Sequence, residues 1–504
     1  MRAVWNFIIT KEIELGTQFL VASGGAGELY AVLGETQAVI RLSASGRGGA
    51  WHHYCHTAYG IGEREAAARF VYDALRAYAF EHGTHVELRR FSAFNTNTRT
   101  GYLSAYNGRM WKLDGAAISV ETVGEDGVFF ADDDGGLPVA DVDIGNHGIL
   151  LDRLTDINFA PCGLSGITPT QQRMALIVWI FALAFPDLMP TKPILLLEGT
   201  QGAGKSASMQ LLQLALMGAA RPMILSRNKE DDFGVLLLRS PIAVFDNTDS
   251  YIEWVPDAIC AYTTAGLWNK RKLFTDDESM TIRPHAFIAI ASKNPASFRR
   301  EDVADRCVIL RLERRSVFTS FQALKESIAT DRPRLLGEYL WYVGQIIEAL
   351  RAGAGATEHE THRMADFAAL ARVVGHVLGW AAQDVSDLML ALQGERDAFI
   401  NEEDPLIDLL VKWVGYRRRD GRANFGRLIT ATELHTELGT LAAADQIELK
   451  YSARTLAQKI RSPHIERVLH VESSVVGGHK AYKFWRHTDP RLEIVPAEPM
   501  ITEE

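Results

Sequence analysis

The sequence predicts an α/β protein: a P-loop core, preceded by an α+β N-terminal region and followed by a helical lid and a C-terminal winged helix. Three observations carry that prediction. The apolar run Ile194-Leu195-Leu196-Leu197 leads into Gly199-Thr200-Gln201-Gly202-Ala203-Gly204-Lys205-Ser206, a GxxxxGKS motif. A helical spacing follows it, with Met209, Leu212 and Leu216 on one face. Two more apolar runs, Ile242-Ala243-Val244-Phe245-Asp246 and Ala286-Phe287-Ile288-Ala289-Ile290-Ala291, supply companion strands, and the last hundred residues read as three helices and a two-stranded wing.

At 504 residues the chain exceeds one ordinary core. The expected division is 1–90 (small α+β domain), 91–165 (β-rich), 166–330 (P-loop core), 331–403 (helical lid), 404–490 (winged helix) and a 491–504 tail. The longest apolar stretch, Met174 to Phe185, is too short for a bilayer, so no membrane partner is expected. The N-terminus carries acids too early for a signal peptide. Four scattered cysteines, Cys55, Cys162, Cys260 and Cys307, suit a reducing cytoplasm. The net charge is −10, yet from Gly415 to Pro463 there are nine Lys/Arg against five Asp/Glu, a local excess of four positive charges.

In the first region Leu29-Tyr30-Ala31-Val32 and Ala38 to Leu42 are strand-like, and Glu63 to His82 is a helix closed by Gly83. His52, His53, Cys55 and His56 invite a zinc reading, but no second ligand pair lies at zinc-finger distance. Tyr102 to Tyr106 and Arg109 to Leu113 flank Asn107-Gly108, a hairpin signal. The acidic loop Ala131-Asp132-Asp133-Asp134-Gly135 lacks calcium-loop spacing and reads as a solvated turn. Thr168 to Leu183 is a helix feeding the core, and Arg332 to Asn401 is helical with a break at Gly353-Ala354-Gly355.

In the P-loop, Gly199, Gly202 and Gly204 let backbone N–H groups curl around an anionic phosphate at a helix N-terminus. Lys205 would reach the β- and γ-phosphates, while Ser206 and Asp246 would hold Mg²⁺, so ATP and Mg are the expected ligands. Asn294, at the tip of the third apolar run, is the candidate to orient the attacking water. Arg306 is placed to touch a neighbouring subunit's γ-phosphate, with a surface ion pair to Asp302 or Asp305 as the alternative. Lys270, Arg271 and Lys272, flanked by Trp268 and Phe274, fit a hairpin that grips a phosphate backbone, or else a solvated basic turn.

The run from Thr263 to Leu312, with LLLEGTQGAGKS, VFDNTD, RKLFTDDE and HRMADFAALAR in the same order, resembles the superfamily 3 AAA+ helicases of phage and plasmid primase–helicase proteins. The resemblance implies a homo-oligomeric ring around DNA, with replication or phage proteins as further partners. It implies Walker A roles for Lys205 and Ser206, the metal-shell acid in Asp246, a sensor in Asn294 and an arginine finger in Arg306. It also implies a pore hairpin at Lys270, Arg271 and Lys272, and a second sensor at Arg363 on the lid. One departure stands out: such motors place a second acid after the Walker-B Asp, where this chain has Asn247, and Asn is no general base. Asp249 takes that place if the turn brings it round.

Toward the C-terminus Pro405 to Tyr416, Thr432 to Leu438 and Ser452 to Ile460 read as helices, and Ile465 to Trp485 as two strands around Gly477-Gly478. The third helix would offer Arg454, Lys459 and Arg461 to DNA, with Arg417, Arg418, Arg419 and Lys480 for phosphates; protein contact is the other use of such a module. The reading is an ATP-dependent helicase of a phage or mobile element, without an evident primase. An ATP-dependent initiator or assembly switch and an anti-phage defence ATPase are the alternatives.

Overall fold

The computed structural model describes the chain apart from residues 24–27, 44–48, 132–134, 163–164, 226–232, 235, 238–239, 266–267, 272–278, 283–285, 356–361, 402–405, 417–423, 445–451, 462–464, 466–468, 477–478 and 487–504. It divides into two compact units, 1–396 and 397–504. Among the described residues no helix is long and apolar enough to cross a membrane. Asp132, Asp133 and Asp134 of the acidic loop, Lys272, Arg417, Arg418, Arg419, Gly477 and Gly478 lie outside the described residues.

The first unit opens with the helix Arg2–Glu14 and a four-stranded sheet in the order Val39–Leu42, Leu29–Val32, Gln18–Ala22, Thr84–Val86. Two further helices, Ala50–Tyr59 and Ala66–His82, help to enclose a core of Ile8, Phe19, Trp51, Val71 and Leu75. His52 and Cys55 are buried within this packing, with the His52 and Tyr72 ring centroids 4.8 Å apart. No group of three or more metal-ligating side chains comes together among the described residues.

An antiparallel meander follows, Ser92–Asn95, Thr100–Tyr106, Arg109–Asp114 and Ala117–Thr122. Its central turn has Asn107 at φ 53° and Gly108 at φ 71°, the paired positive angles of a two-residue type I′ hairpin that matches strand twist.

Next comes a parallel sheet, in the order Ile242–Asp246, Phe287–Ser292, Ile194–Gly199, Cys307–Leu312. Ile194, Leu195, Leu196 and Leu197 are at most 1% exposed, as expected of strands covered on both faces. One cover is the helix Pro169–Ala182, started by a capping box between Thr168 and Gln171 and apolar nearly all round. Trp179 in it donates its ring N–H to the Pro193 carbonyl at 2.9 Å, fixing the helix against the start of the strand Ile194–Gly199.

A single helix, Phe321–Arg351, runs through residue 330, where the core was expected to end. Ser320 caps it, accepting from the Ala323 N–H, and the helix continues past Pro333. The helices Ala365–Leu378 and Ala382–Asn401 follow.

The second unit holds the helices Leu406–Gly415, Ala431–Ala444 and Ala453–Lys459 and a sheet in the order Ile429–Thr430, His479–Arg486, Leu469–Val476. Ser452 caps the third helix by accepting from the Thr455 N–H at 3.2 Å. Trp413, Leu434, Leu438, Leu456, Tyr482 and Phe484 form its core.

Candidate nucleotide site

All four strands of the parallel sheet run the same way, so their C-terminal tips share one edge. In register, Gly199 stands beside Leu312, Glu198 beside Ser292, and Asp246 beside Ala291. The P-loop, the Asp246 turn and the tip carrying Asn294 therefore meet at that edge, with the Asn294 strand between the other two. Gly202 at φ +83° and Gly204 at φ +87° make the turn into the helix Lys205–Met217. A Cβ on Gly199 would lie 2.3 Å from the Leu312 carbonyl oxygen, so only glycine fits at that close approach.

Ser206 donates its hydroxyl to Asp246 Oδ1 at 2.6 Å. This pairing of a hydroxyl with a carboxylate is the hard-oxygen donor set that a Mg²⁺ ion takes, so the residues present fit the expected cation. Lys205 Nζ donates to the Gly199 and Thr200 carbonyls at 2.6 and 3.0 Å, folded onto its own loop. Burial lowers the Lys205 pKa, against the pull of Asp249, Asp246 and Glu198.

Asn247 has φ 54° and donates its N–H to Asp246 Oδ1 at 2.9 Å. That reversal carries Asp249 over the neighbouring strand tip, where it accepts from the Ser292 hydroxyl (2.8 Å) and the N–H groups of Lys293 (2.6 Å) and Asn294 (3.3 Å). Burial opposes ionisation of Asp249, but these three donors and the Lys205 charge hold its carboxyl below the ordinary value. Asn294 is exposed at the same edge.

Arg306 sits at the other end of the sheet: its carbonyl accepts from Ile194 N–H at 2.9 Å, just before the strand Cys307–Leu312. Its side chain is half-buried and donates to the Asp302 carbonyl. Arg300 takes the Asp302 carboxylate, while Asp305, 3% exposed at its side chain, is held by Arg363 and Arg396. Arg363, the residue expected as a second sensor on the lid, pairs here with Asp305. Its guanidinium is captured by a buried carboxylate at the edge of the sheet opposite Lys205, a pairing between segments remote in sequence.

The segment Trp268–Arg271 pairs with Ser279–Ile282 as an antiparallel hairpin that carries Lys270 and Arg271. In the second unit Arg454 and Lys459 lie on the helix Ala453–Lys459, Arg454 being exposed, and exposed Arg461 follows it. Lys480 is exposed on the strand His479–Arg486.

Two features of the site escaped the sequence reading. Arg314 and Phe318 both approach Gly202: a Cβ there would have Arg314 Nε at 3.5 Å and Phe318 Cε1 at 3.6 Å. Their only sequence signal is a basic and aromatic stretch just after the last strand. Beneath the loop, Glu198 receives Arg299 and Arg311 at 3.3 Å each, and Arg311 also pairs with Glu395. Single charges ending apolar runs gave no hint of that network.

Residues 161–390 match the family model of the actinomycete integrative conjugative element replication protein, a span of somewhat under half of the chain. No curated protein matches the sequence. Among solved structures, the apo form of the NrS-1 C-terminal region aligns over 96% of this chain and 98% of that one, at 9% identity and TM-score 0.45. The SCCmec type IV Cch structure, described as an active helicase, aligns over 93% and 92% at 12% identity and TM-score 0.44. Over its central part, then, the chain is similar to replication proteins of mobile elements.

Proposed function

We propose that this chain is an ATP-dependent DNA helicase or translocase that replicates a mobile element as a homo-oligomeric ring. The observation that carries the reading is the gathering of Lys205, Ser206, Asp246 and Asn294 at one edge of the sheet, with Arg306 at the opposite edge. An arginine there cannot serve the phosphates of its own loop, which suits a finger offered to a neighbouring subunit. The match to mobile-element replication proteins supports the same reading.

In this reading the P-loop amides cradle the phosphates of ATP, and Lys205 exchanges its two carbonyl partners for phosphate oxygens. A bound Mg²⁺, held by Ser206 and Asp246, would neutralise charge on those phosphates. Asn294 orients the attacking water. The hairpin carrying Lys270 and Arg271 draws on one DNA strand, and the C-terminal unit serves as a winged helix, with Arg454, Lys459 and Arg461 toward DNA phosphates.

A switch that binds ATP and DNA without processive turnover is the second reading, favoured by the neutral side chain of Asn247 directly after Asp246. Mg–ATP hydrolysis with and without single-stranded DNA separates the two. The motor reading expects DNA-stimulated turnover, lost in Lys205→Ala and in Arg306→Ala. It also expects Arg306→Ala to regain activity when mixed with subunits that keep the arginine. ATP binding with negligible turnover on any DNA would refute the motor.

A further inference from the structure

Hydrolysis at such a site needs a group that holds a water against the γ-phosphate and accepts its proton. The residue after Asp246 cannot do this, because Asn247 has an amide side chain and no useful basicity. Its backbone, however, adopts the left-handed conformation, and the chain reverses there. The reversal delivers Asp249 to the tip of the strand Phe287–Ser292, beside the residue expected to orient water.

Three donors then converge on one oxygen of Asp249: the Ser292 hydroxyl and the N–H groups of Lys293 and Asn294. All of its hydrogen bonds among the described residues fall on Oδ1, which fixes the carboxylate and leaves Oδ2 its lone pairs. Lys205, the lysine of the GxxxxGKS loop, interacts electrostatically with the same carboxylate, so the two groups lie at the same edge of the sheet. Neutral Asn247 and anchored, charged Asp249 together define one acid-bearing turn, with its acid three residues after Asp246 instead of one.

We propose that Asp249 is the carboxylate that orients and polarises the attacking water, in place of an acid directly after Asp246. The proposal rests on the nucleotide-site reading above. In the step, the water oxygen bonds to the γ-phosphorus and the bond from that phosphorus to the β–γ bridging oxygen breaks. The electron pair of that bond stays with ADP, and the water proton passes to Asp249 and on to the departing phosphate. No further reactant is required.

Asparagine and alanine at this position test different things. Asp249→Asn keeps an oxygen that can accept from Ser292, Lys293 and Asn294, and removes only the charge and basicity. Asp249→Ala removes the anchor as well. Calorimetry with Mg–ATP and steady-state hydrolysis, both on the full chain, are the measurements. The expected result for Asp249→Asn is unchanged affinity, little change in KM, and a kcat lowered about 100-fold or more. Adding Asn247→Glu to Asp249→Asn should restore part of that turnover by moving the acid next to Asp246. Near wild-type turnover in Asp249→Asn with loss only in Asp249→Ala would overturn the proposal and leave Asp249 as a strand anchor. Loss of Mg–ATP binding in Asp249→Asn would overturn it too. A wild-type chain that neither binds nor hydrolyses ATP would instead sink the nucleotide-site reading, and this proposal with it.

Discussion

Replacing Glu198 with alanine removes the carboxylate that Arg299 and Arg311 share directly beneath the phosphate loop. The three side chains are 9%, 12% and 16% exposed, and both contacts are 3.3 Å. An intact buried ion cluster adds little net stability, because desolvation cancels most of the Coulomb attraction. Deleting one member is another matter, since the remaining charges stay where water cannot solvate them, at a cost of about 3–5 kcal/mol. Arg311 retains Glu395, which places Glu198→Ala near the lower end, about 3 kcal/mol. Glu198→Gln keeps the volume and an acceptor oxygen and should lose about half as much. Glu198 is the penultimate residue of the strand Ile194–Gly199, so the damage should be local to that edge of the sheet. Hydrogen exchange of the amides from Leu195 to Glu198 reads it there, with about 100-fold faster exchange in Glu198→Ala. Exchange within about threefold of wild type would refute the reasoning. Equal damage from glutamine and alanine would assign the effect to shape and not to charge.

Two other outcomes follow from packing and burial. In Gly337→Ala the new methyl would lie 1.7 Å from the Asp143 carbonyl oxygen, so the usual helix gain of about 1 kcal/mol is outweighed by an overpacking cost of about 1–3 kcal/mol. A lowered Tm is expected, and a raised one would disprove the close approach. Cys55, Cys162 and Cys307 are buried and only Cys260 is half-exposed, while burial and then the Glu12 charge push the Cys55 thiol up to about 12. Because thiolate is the reacting form, an aromatic disulfide reagent at pH 8 should find one thiol, reacting slowly, in native protein and four in urea. Two fast native thiols would contradict this.

Much of the sheet was legible because parallel strands, buried on both faces, leave continuous apolar runs, and three of those runs end at one edge of the sheet. The helix Pro169–Ala182 was legible from Thr168 and its capping box. The helix Arg2–Glu14 was not, because its pattern is mixed: it buries Ile8 and Ile9 beside a carboxylate. It exposes Phe7 and Ile13 and buries Glu12, which accepts hydroxyls from Thr17, Tyr54 and Tyr59. The histidines near residue 52 drew attention to metal chemistry and hid a plain helix, Ala50–Tyr59. At the candidate site a motif names Lys205 and Ser206, but the position Asp249 reaches depends on the φ of Asn247 and on which strand lies next door. The partner of Arg363 is likewise set by tertiary packing, with Asp305 lying 58 residues earlier. Spacing cannot report either.

The helix Phe321–Arg351 has a mechanical consequence. Near its first half Arg332 donates to the Ala215 carbonyl on the helix that follows the phosphate loop. At its far end Glu348 accepts from the Ala116 N–H, and Arg351 pairs with Asp114, both on the N-terminal meander. Nineteen residues separate Arg332 from Arg351, about 28 Å of helix at 1.5 Å per residue. One stiff rod thus joins the loop helix to a hairpin corner, and each degree of tilt about Arg332 sweeps that corner by about 0.5 Å. A small pivot at the C-terminal end of the helix Lys205–Met217 becomes a displacement of atomic size at the meander.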